Sequence, residues 1–148
     1  MDLIMWRHAV AVDGAPDHAR ELTAKGHKQA AKTAAFLRQH LPDEHRILAS
    51  PTARTRQTVA ALTDHFTLAP TIAPGASAQA VLHAARWPDA GGTVLIVGHQ
   101  PTLGEVAAQL LGCGSGSLSI KKGALWWFSQ REDSSQATLR LVITPDFL

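Results

Sequence analysis

An arginine and a histidine stand side by side at positions 7 and 8, directly after the apolar run Leu3-Ile4-Met5-Trp6. The run reads as a short buried strand over residues 2–7, so the chain delivers a guanidinium and an imidazole where a loop begins. Two other segments repeat the arrangement: Ile47-Leu48-Ala49 runs into Ser50-Pro51-Thr52-Ala53-Arg54, and Val94-Leu95-Ile96-Val97-Gly98 runs into His99-Gln100-Pro101. If the three strands share one parallel sheet, Arg7, His8, Arg54 and His99 meet at its carboxyl edge, where open α/β sheets bind their ligands. Two guanidiniums can grip a phosphoryl group through paired hydrogen bonds. A neutral imidazole between them can attack its phosphorus.

Each of these residues has a plainer reading. A lone loop histidine is more often structural than catalytic, and Arg54 and Arg56 both fit a helix surface. Two features favour chemistry. His8 and His99 occupy the same slot, immediately after a buried strand. Arg7 is hard to place in a core, because a buried guanidinium without a partner is costly and an anionic ligand supplies that partner. Arg54 falls in the first turn of a helix opened by Ser50 as N-cap and Pro51 as first helical residue. Helical side chains tilt toward the N-terminus, so its guanidinium reaches back to the mouth of the preceding strand. The amide groups at that helix start favour an anion in the same place. Arg56 is expected at the surface.

The elements that must position these groups alternate between strand and helix. A helix is predicted from about Thr23, its N-cap, to His40, ended by Leu41-Pro42. A strand over 46–49 leads to the Ser50 helix, expected to run to about Phe66. Residues 69–73 read as a weak strand and Ala78–Arg86 as a short helix stopped near Pro88. The strand over 93–97 is the clearest, since Val, Leu and Ile run together without alternation. Pro101 opens a helix ending at Gly112. Strands over 124–129 and 137–143 are joined by the polar loop Gln130–Gln136, too short for a crossover, so they pair antiparallel. The order predicts a three-layer α/β/α sandwich with a mainly parallel central sheet and an antiparallel C-terminal strand pair. No repeat or linker marks a second unit, so residues 1–148 are read as a single domain.

Composition bounds the function. The chain is 45% hydrophobic and 18% charged with a formal net charge of +2, ordinary for a soluble domain. No apolar stretch approaches the roughly 20 residues that span a bilayer, and no basic leader with a long apolar core opens the chain. The single Cys113 forms no internal disulfide, consistent with a cytoplasmic location. No lysine/arginine block of the nucleic-acid-binding kind is visible, and most basic residues are read as solvated surface. Neither nucleic acid nor membrane is expected as a partner.

The motifs resemble those of the histidine phosphatase superfamily, the phosphoglycerate-mutase-like fold. Arg7-His8-Ala9 is similar to the family's Arg-His-Gly, and Ser50-Pro51-Thr52-Ala53-Arg54-Thr55-Arg56-Gln57-Thr58 to its Ser-Pro-x-x-Arg-x-x-Gln-Thr. Val97-Gly98-His99 matches the strand followed by Gly/Ser-His, and Arg20-Glu21-Leu22-Thr23-Ala24-Lys25-Gly26 resembles the opening of the first helix. The four occur in family order. The resemblance implies that His8 is the nucleophile that becomes phosphohistidine. It also implies that Arg7, Arg54 and His99 bind the phosphoryl oxygens and stabilise charge during transfer, without metal or cofactor.

One departure bears on the substrate. Many members carry a Glu or Asp after the third strand as proton donor, yet no carboxylate occurs between Asp64 and Asp89. An alkoxide leaving group needs that proton. An imidazole needs it less, since its conjugate acid has a pKa near 6.5. Together with the short chain, this resembles the SixA-type phosphohistidine phosphatases of bacteria. The expected activity is removal of phosphate from a phosphorylated histidine of a protein, with a histidine phosphotransfer protein as one candidate partner. A phosphomonoester or phosphoserine/phosphothreonine phosphatase, and a non-catalytic phosphate-binding module, are the alternatives. Asp13, Asp17 and Glu105 remain as other proton sources. The oligomeric state is left open, with a monomer expected.

Other signals are discounted. The Gly112–Ser117 segment follows a helix and so fits neither a Rossmann turn nor a P-loop. His18, His27, His40, His45, His65 and His83 form no metal-binding pattern and are expected at the surface. Of Trp126 and Trp127, one ring is expected to face the core.

Overall fold

A computed structural model describes residues 1–148, and its elements follow from where the apolar residues fall. Strand β1 (Asp2–Arg7) alternates its buried side chains between two cores. Ile4 and Trp6 join one, and Leu3 and Met5 the other. Strand β4 (Thr93–Gly98) does the same, with Leu95 and Val97 on the first face and Val94 and Ile96 on the second. A sheet with two buried faces needs helices on both. Helices α1 (Ala24–His40) and α2 (Ala53–Ala60) cover the first through Ala30, Ala34, Leu37 and Val59. Helices α3 (Ala78–Ala85) and α4 (Thr102–Leu110) cover the second through Val81, Ala85, Leu103 and Val106. The three-layer sandwich is the result.

The sheet has six strands in the order β3-β2-β4-β1-β5-β6, with β2 at His45–Ala49, β3 at Thr67–Leu68, β5 at Leu125–Ser129 and β6 at Thr138–Ile143. Pairings among β1 to β4 are parallel, whereas β1 with β5 and β5 with β6 are antiparallel. Register does the positioning. Arg7 lies opposite Gly98 on β4, so His8 and His99, the next residues, leave the sheet side by side. Ala49 lies opposite Val97, which sets Ser50 one step behind them.

Three boundaries differ from the sequence expectation. Helix α2 starts at Ala53 with Thr52, not Ser50, as N-cap; the Thr52 hydroxyl accepts from the Thr55 amide at 3.4 Å. Ser50 is needed elsewhere, as described below. The helix also ends at Ala60 rather than near Phe66. The third strand is Thr67–Leu68, and residues 70–72, where Pro70 cannot donate to a ladder, form a 3-10 turn instead. Thr23 caps α1 as expected, accepting from the Gly26 amide at 3.0 Å.

The two tryptophans of β5 divide as alternation requires. Trp127 is buried in the first core, with Arg140 over its ring at 5.1 Å, while Trp126 is half-buried against the second. The six histidines expected at the surface are all exposed, as is Arg56.

Candidate active site

Three chain segments, those that follow β1, β2 and β4, converge at the carboxyl edge of the sheet. The His8 and His99 rings lie 5.4 Å apart between centroids, tilted by 53°. Both are buried, and so is Arg54; Arg7 is half-buried. Each ring is held by one nitrogen. The His8 Nδ1–H donates to the Ala9 carbonyl at 2.7 Å, which leaves the Nε2 lone pair free. His99 is held the other way, with Nε2 2.7 Å from the Ser50 hydroxyl. A hydroxyl that caps a helix cannot also reach across to a neighbouring strand end, which explains why the cap passes to Thr52.

The arginines are fixed by backbone carbonyls. Arg7 Nη1 donates to the Ile120 carbonyl at 2.7 Å. Arg54 donates to the Asp17 carbonyl at 2.9 Å through Nη1 and to the Asp17 carboxylate at 3.1 Å through Nη2. These contacts orient the guanidiniums without saturating them. The chain has four buried side-chain polar atoms without a hydrogen-bond partner, and three belong here: Arg7 Nε, Arg54 Nε and His99 Nδ1 (the fourth is Trp6 Nε1). Buried polar groups in native proteins are nearly always paired. Unpartnered nitrogens gathered beside one imidazole can hold an oxygen-rich anion.

Electrostatics point the same way. His8 is pushed down to about 4, first by burial and then by the charges of Arg54, Arg7 and Lys122, against the opposing bond to Ala9. His99 is pushed down to about 3 by burial, then by Arg54 and His8. Both rings are therefore neutral at pH 7, the form a nucleophile or hydrogen-bond acceptor requires. Asp17 is held below the usual carboxylate range by its bonds to Arg20 and Arg54, so it is poorly suited to donate a proton. Asp13 is exposed, and Glu105 is half-buried in the first turn of α4.

The spacing of the motifs acquires a physical account. The Thr58 hydroxyl accepts from the Ala9 amide at 3.0 Å and donates to the Arg54 carbonyl at 2.7 Å, locking the residue after His8 to the helix that carries Arg54. The Gln57 amide oxygen accepts from the Leu22 amide at 2.7 Å, and its nitrogen donates to Glu21 at 3.1 Å. Gly26 lets α1 rest on the loop after His8, since a Cβ there would fall 2.0 Å from the Val10 carbonyl oxygen. Sequence reasoning assigns no site role to Ser50, which it reads as a helix cap, or to Thr58, the Ile120 carbonyl and Lys122. The first two lie inside the 50–58 motif, but nothing in a sequence says which hydroxyl faces which loop.

No group of three or more His, Cys, Asp and Glu side chains is arranged to hold a metal ion, and no helix is long and apolar enough to cross a membrane.

The fold is that of a phosphoglycerate-mutase-like α/β protein, with two histidines and two arginines gathered at the carboxyl edge of its sheet. The family model for the histidine phosphatase superfamily (branch 1) matches residues 3–77, and the chain belongs to that superfamily. Its relatives include an uncharacterized protein of Picosynechococcus, 36% identical over 138 residues, covering 84% of this chain and 82% of that one. The phosphohistidine phosphatase SixA homolog of Haemophilus influenzae is 34% identical over 128 residues, covering 76% and 78%. Among solved structures, the protein histidine phosphatase SixA complexed with tungstate superposes with a TM-score of 0.84 over 99% of both chains at 23% identity. The chain is thus a SixA-type member of a phosphatase family.

Proposed function

We propose that this chain is a metal-independent phosphohistidine phosphatase of the cytoplasm, acting on a phosphorylated histidine of a protein. The observation that carries the reading is the set of unpartnered nitrogens, Arg7 Nε, Arg54 Nε and His99 Nδ1, around a neutral imidazole whose Nδ1 is already occupied. In the first step the His8 Nε2 lone pair attacks phosphorus. The P–N bond to the substrate imidazole breaks, and that imidazole leaves with the bonding pair and takes a proton from solvent. In the second step water attacks the phosphorus on His8, the P–Nε2 bond breaks and inorganic phosphate is released. Arg7, Arg54 and His99 bind the phosphoryl oxygens throughout, and such positioning and charge stabilisation carry most of phosphoryl transfer.

The leaving group decides between this reading and an ester phosphatase. The segment between Asp64 and Asp89 has no acid, and the nearest acidic partner of the site, Asp17, is held ionised by two arginines. An imidazole departs under those conditions more readily than an alkoxide. The test uses purified chain in EDTA with a phosphohistidine peptide, a phosphoserine peptide and p-nitrophenyl phosphate. The phosphohistidine peptide should be hydrolysed fastest, acid-labile phosphate should appear transiently on His8, and vanadate should inhibit. Equal hydrolysis of phosphoserine would move the reading to the ester phosphatases, and full dependence on an added divalent ion would remove metal independence.

A further inference from the structure

The lysines of this chain are not scattered. There are five, Lys25, Lys28, Lys32, Lys121 and Lys122, and every one lines one of two adjoining cavities that share Lys25, Gln29, Pro145 and Asp146. The larger, about 500 Å3, includes Arg7 in its wall, and the smaller, about 230 Å3, continues along α1. The larger cavity is also lined by Ser119–Lys122, within which the Ile120 carbonyl takes Arg7 Nη1 at 2.7 Å. The groove and the phosphoryl pocket therefore share an arginine and a strap.

The arrangement works against the stability of α1. Lys25, Lys28 and Lys32 share one helix face at spacings of three and four, where like charges repel. Helix α1 contains no acidic residue to relieve them. Lys25 also sits in the first turn, facing the positive end of the helix dipole. Asp146 is the only carboxylate lining either cavity. Asp146 faces Lys121 and Lys32, which leaves five lysines to one carboxylate beside a phosphoryl site, an excess that an anionic partner relieves. No aromatic side chain lines the groove, so it lacks the stacking platforms of a single-stranded nucleic-acid site. Lysines, as mobile point charges, suit screened, steered and reversible docking better than the bidentate clamping of arginine.

We propose that this groove is the docking track for an acidic stretch of the phosphoprotein substrate, seating its carboxylates on Lys25, Lys28, Lys32, Lys121 and Lys122 while the phosphorylated side chain enters at Arg7. The proposal rests on the phosphatase reading for the identity of the substrate and on the lysine groove for the acidic stretch. The test compares two phosphohistidine peptides, one flanked by glutamates and one by glutamines. Wild type should prefer the glutamate peptide by about tenfold in kcat/KM, through KM, with the preference shrinking as salt rises. The variant Lys28→Gln/Lys32→Gln/Lys121→Gln should lose the preference while hydrolysing the glutamine peptide and p-nitrophenyl phosphate as wild type does. Replacing the same three residues with arginine should keep it. An unphosphorylated, fluorescently labelled glutamate peptide should bind wild type about tenfold more tightly than the glutamine variant, by anisotropy at low salt. That loss of binding supports the groove even if no phosphopeptide is hydrolysed, a result that would count against the phosphatase reading alone. Equal binding of the labelled peptide by wild type and variant overturns the groove.

Discussion

The arginine–histidine floor and the lysine groove are neighbouring cationic regions built on opposite principles. In the floor, charge is buried and held: Arg54 is anchored by Asp17, Arg7 by the Ile120 carbonyl, and both histidines by one nitrogen each. In the groove, all five lysines are exposed and none makes a side-chain hydrogen bond or salt bridge within the chain. Buried, pre-aimed donors act strongly on charge that develops during transfer, because water does not screen them. Exposed lysines contribute longer-range attraction that salt weakens. On the readings proposed above, the floor carries the chemistry and the groove selects what arrives.

The comparison predicts a hierarchy of effects. The largest belongs to His8→Ala, which removes the attacking nitrogen; turnover of a phosphohistidine peptide should fall by roughly ten-thousand-fold or more, with an unchanged circular dichroism spectrum. Near-normal turnover would end the nucleophile assignment. Next is Arg54→Ala, which removes an aimed donor and should lower kcat by about a hundred- to a thousand-fold. A drop confined to KM would place Arg54 with the groove lysines instead and collapse the distinction.

Gly26→Ala strikes where the two regions meet, because α1 rests there on the Val10 carbonyl at a distance that admits no Cβ. Overpacking of this kind costs about 1–3 kcal/mol, to be measured as a lowered urea midpoint. An unchanged midpoint would mean that α1 can lift away from the loop. Ser50→Ala frees the His99 ring without touching substrate and should reduce kcat by about tenfold, consistent with loss of one neutral hydrogen bond. Its KM should stay constant.

The smallest effect, and the finest discriminator, is pH dependence. Burial and the arginines depress His8 to about 4 and His99 to about 3. The acid limb of kcat/KM governed by His8 should therefore lie near pH 4 rather than 6.5. Stability follows the same sign. The unfolded chain protonates these rings first as pH falls below about 6.5, so their stabilising contribution is complete above that pH and is lost as pH drops toward the folded values. Arg54→Gln should raise the pKa of both histidines, as NMR titration would show. Lys122 already couples the groove to His8; the lysine triple variant spares it and should leave both histidines where they are, and a shift there would extend that coupling to Lys28, Lys32 and Lys121.

Much of the fold is legible in the sequence. Buried strands ending in Arg7-His8 and Gly98-His99 announced a site at a sheet edge, and the alternation of apolar runs with amphipathic stretches announced the sandwich. Local chemistry was enough because a buried parallel strand must be a continuous apolar run and a helix must declare its face every three to four residues. The N-cap of α2 was misplaced for a reason that local sequence does not contain. Ser50 and Thr52 are both good caps, and the choice went to Thr52 because the Ser50 hydroxyl is 2.7 Å from His99 on another strand.

Local sequence sets which candidate groups are present and which elements end in them. Tertiary structure alone decided that His8 and His99 leave adjacent strands in register, that His8 presents Nε2 because the Ala9 carbonyl takes its Nδ1–H, and that five lysines separated by up to ninety-seven positions share one groove. The lysines, read along the chain as solvated surface, are exposed in the fold, and there they form one concentrated face. The reason is physical: hydrophobic periodicity is a property of neighbours in sequence, while register, tautomer and charge convergence depend on contacts between segments that the chain brings together only when the sheet closes.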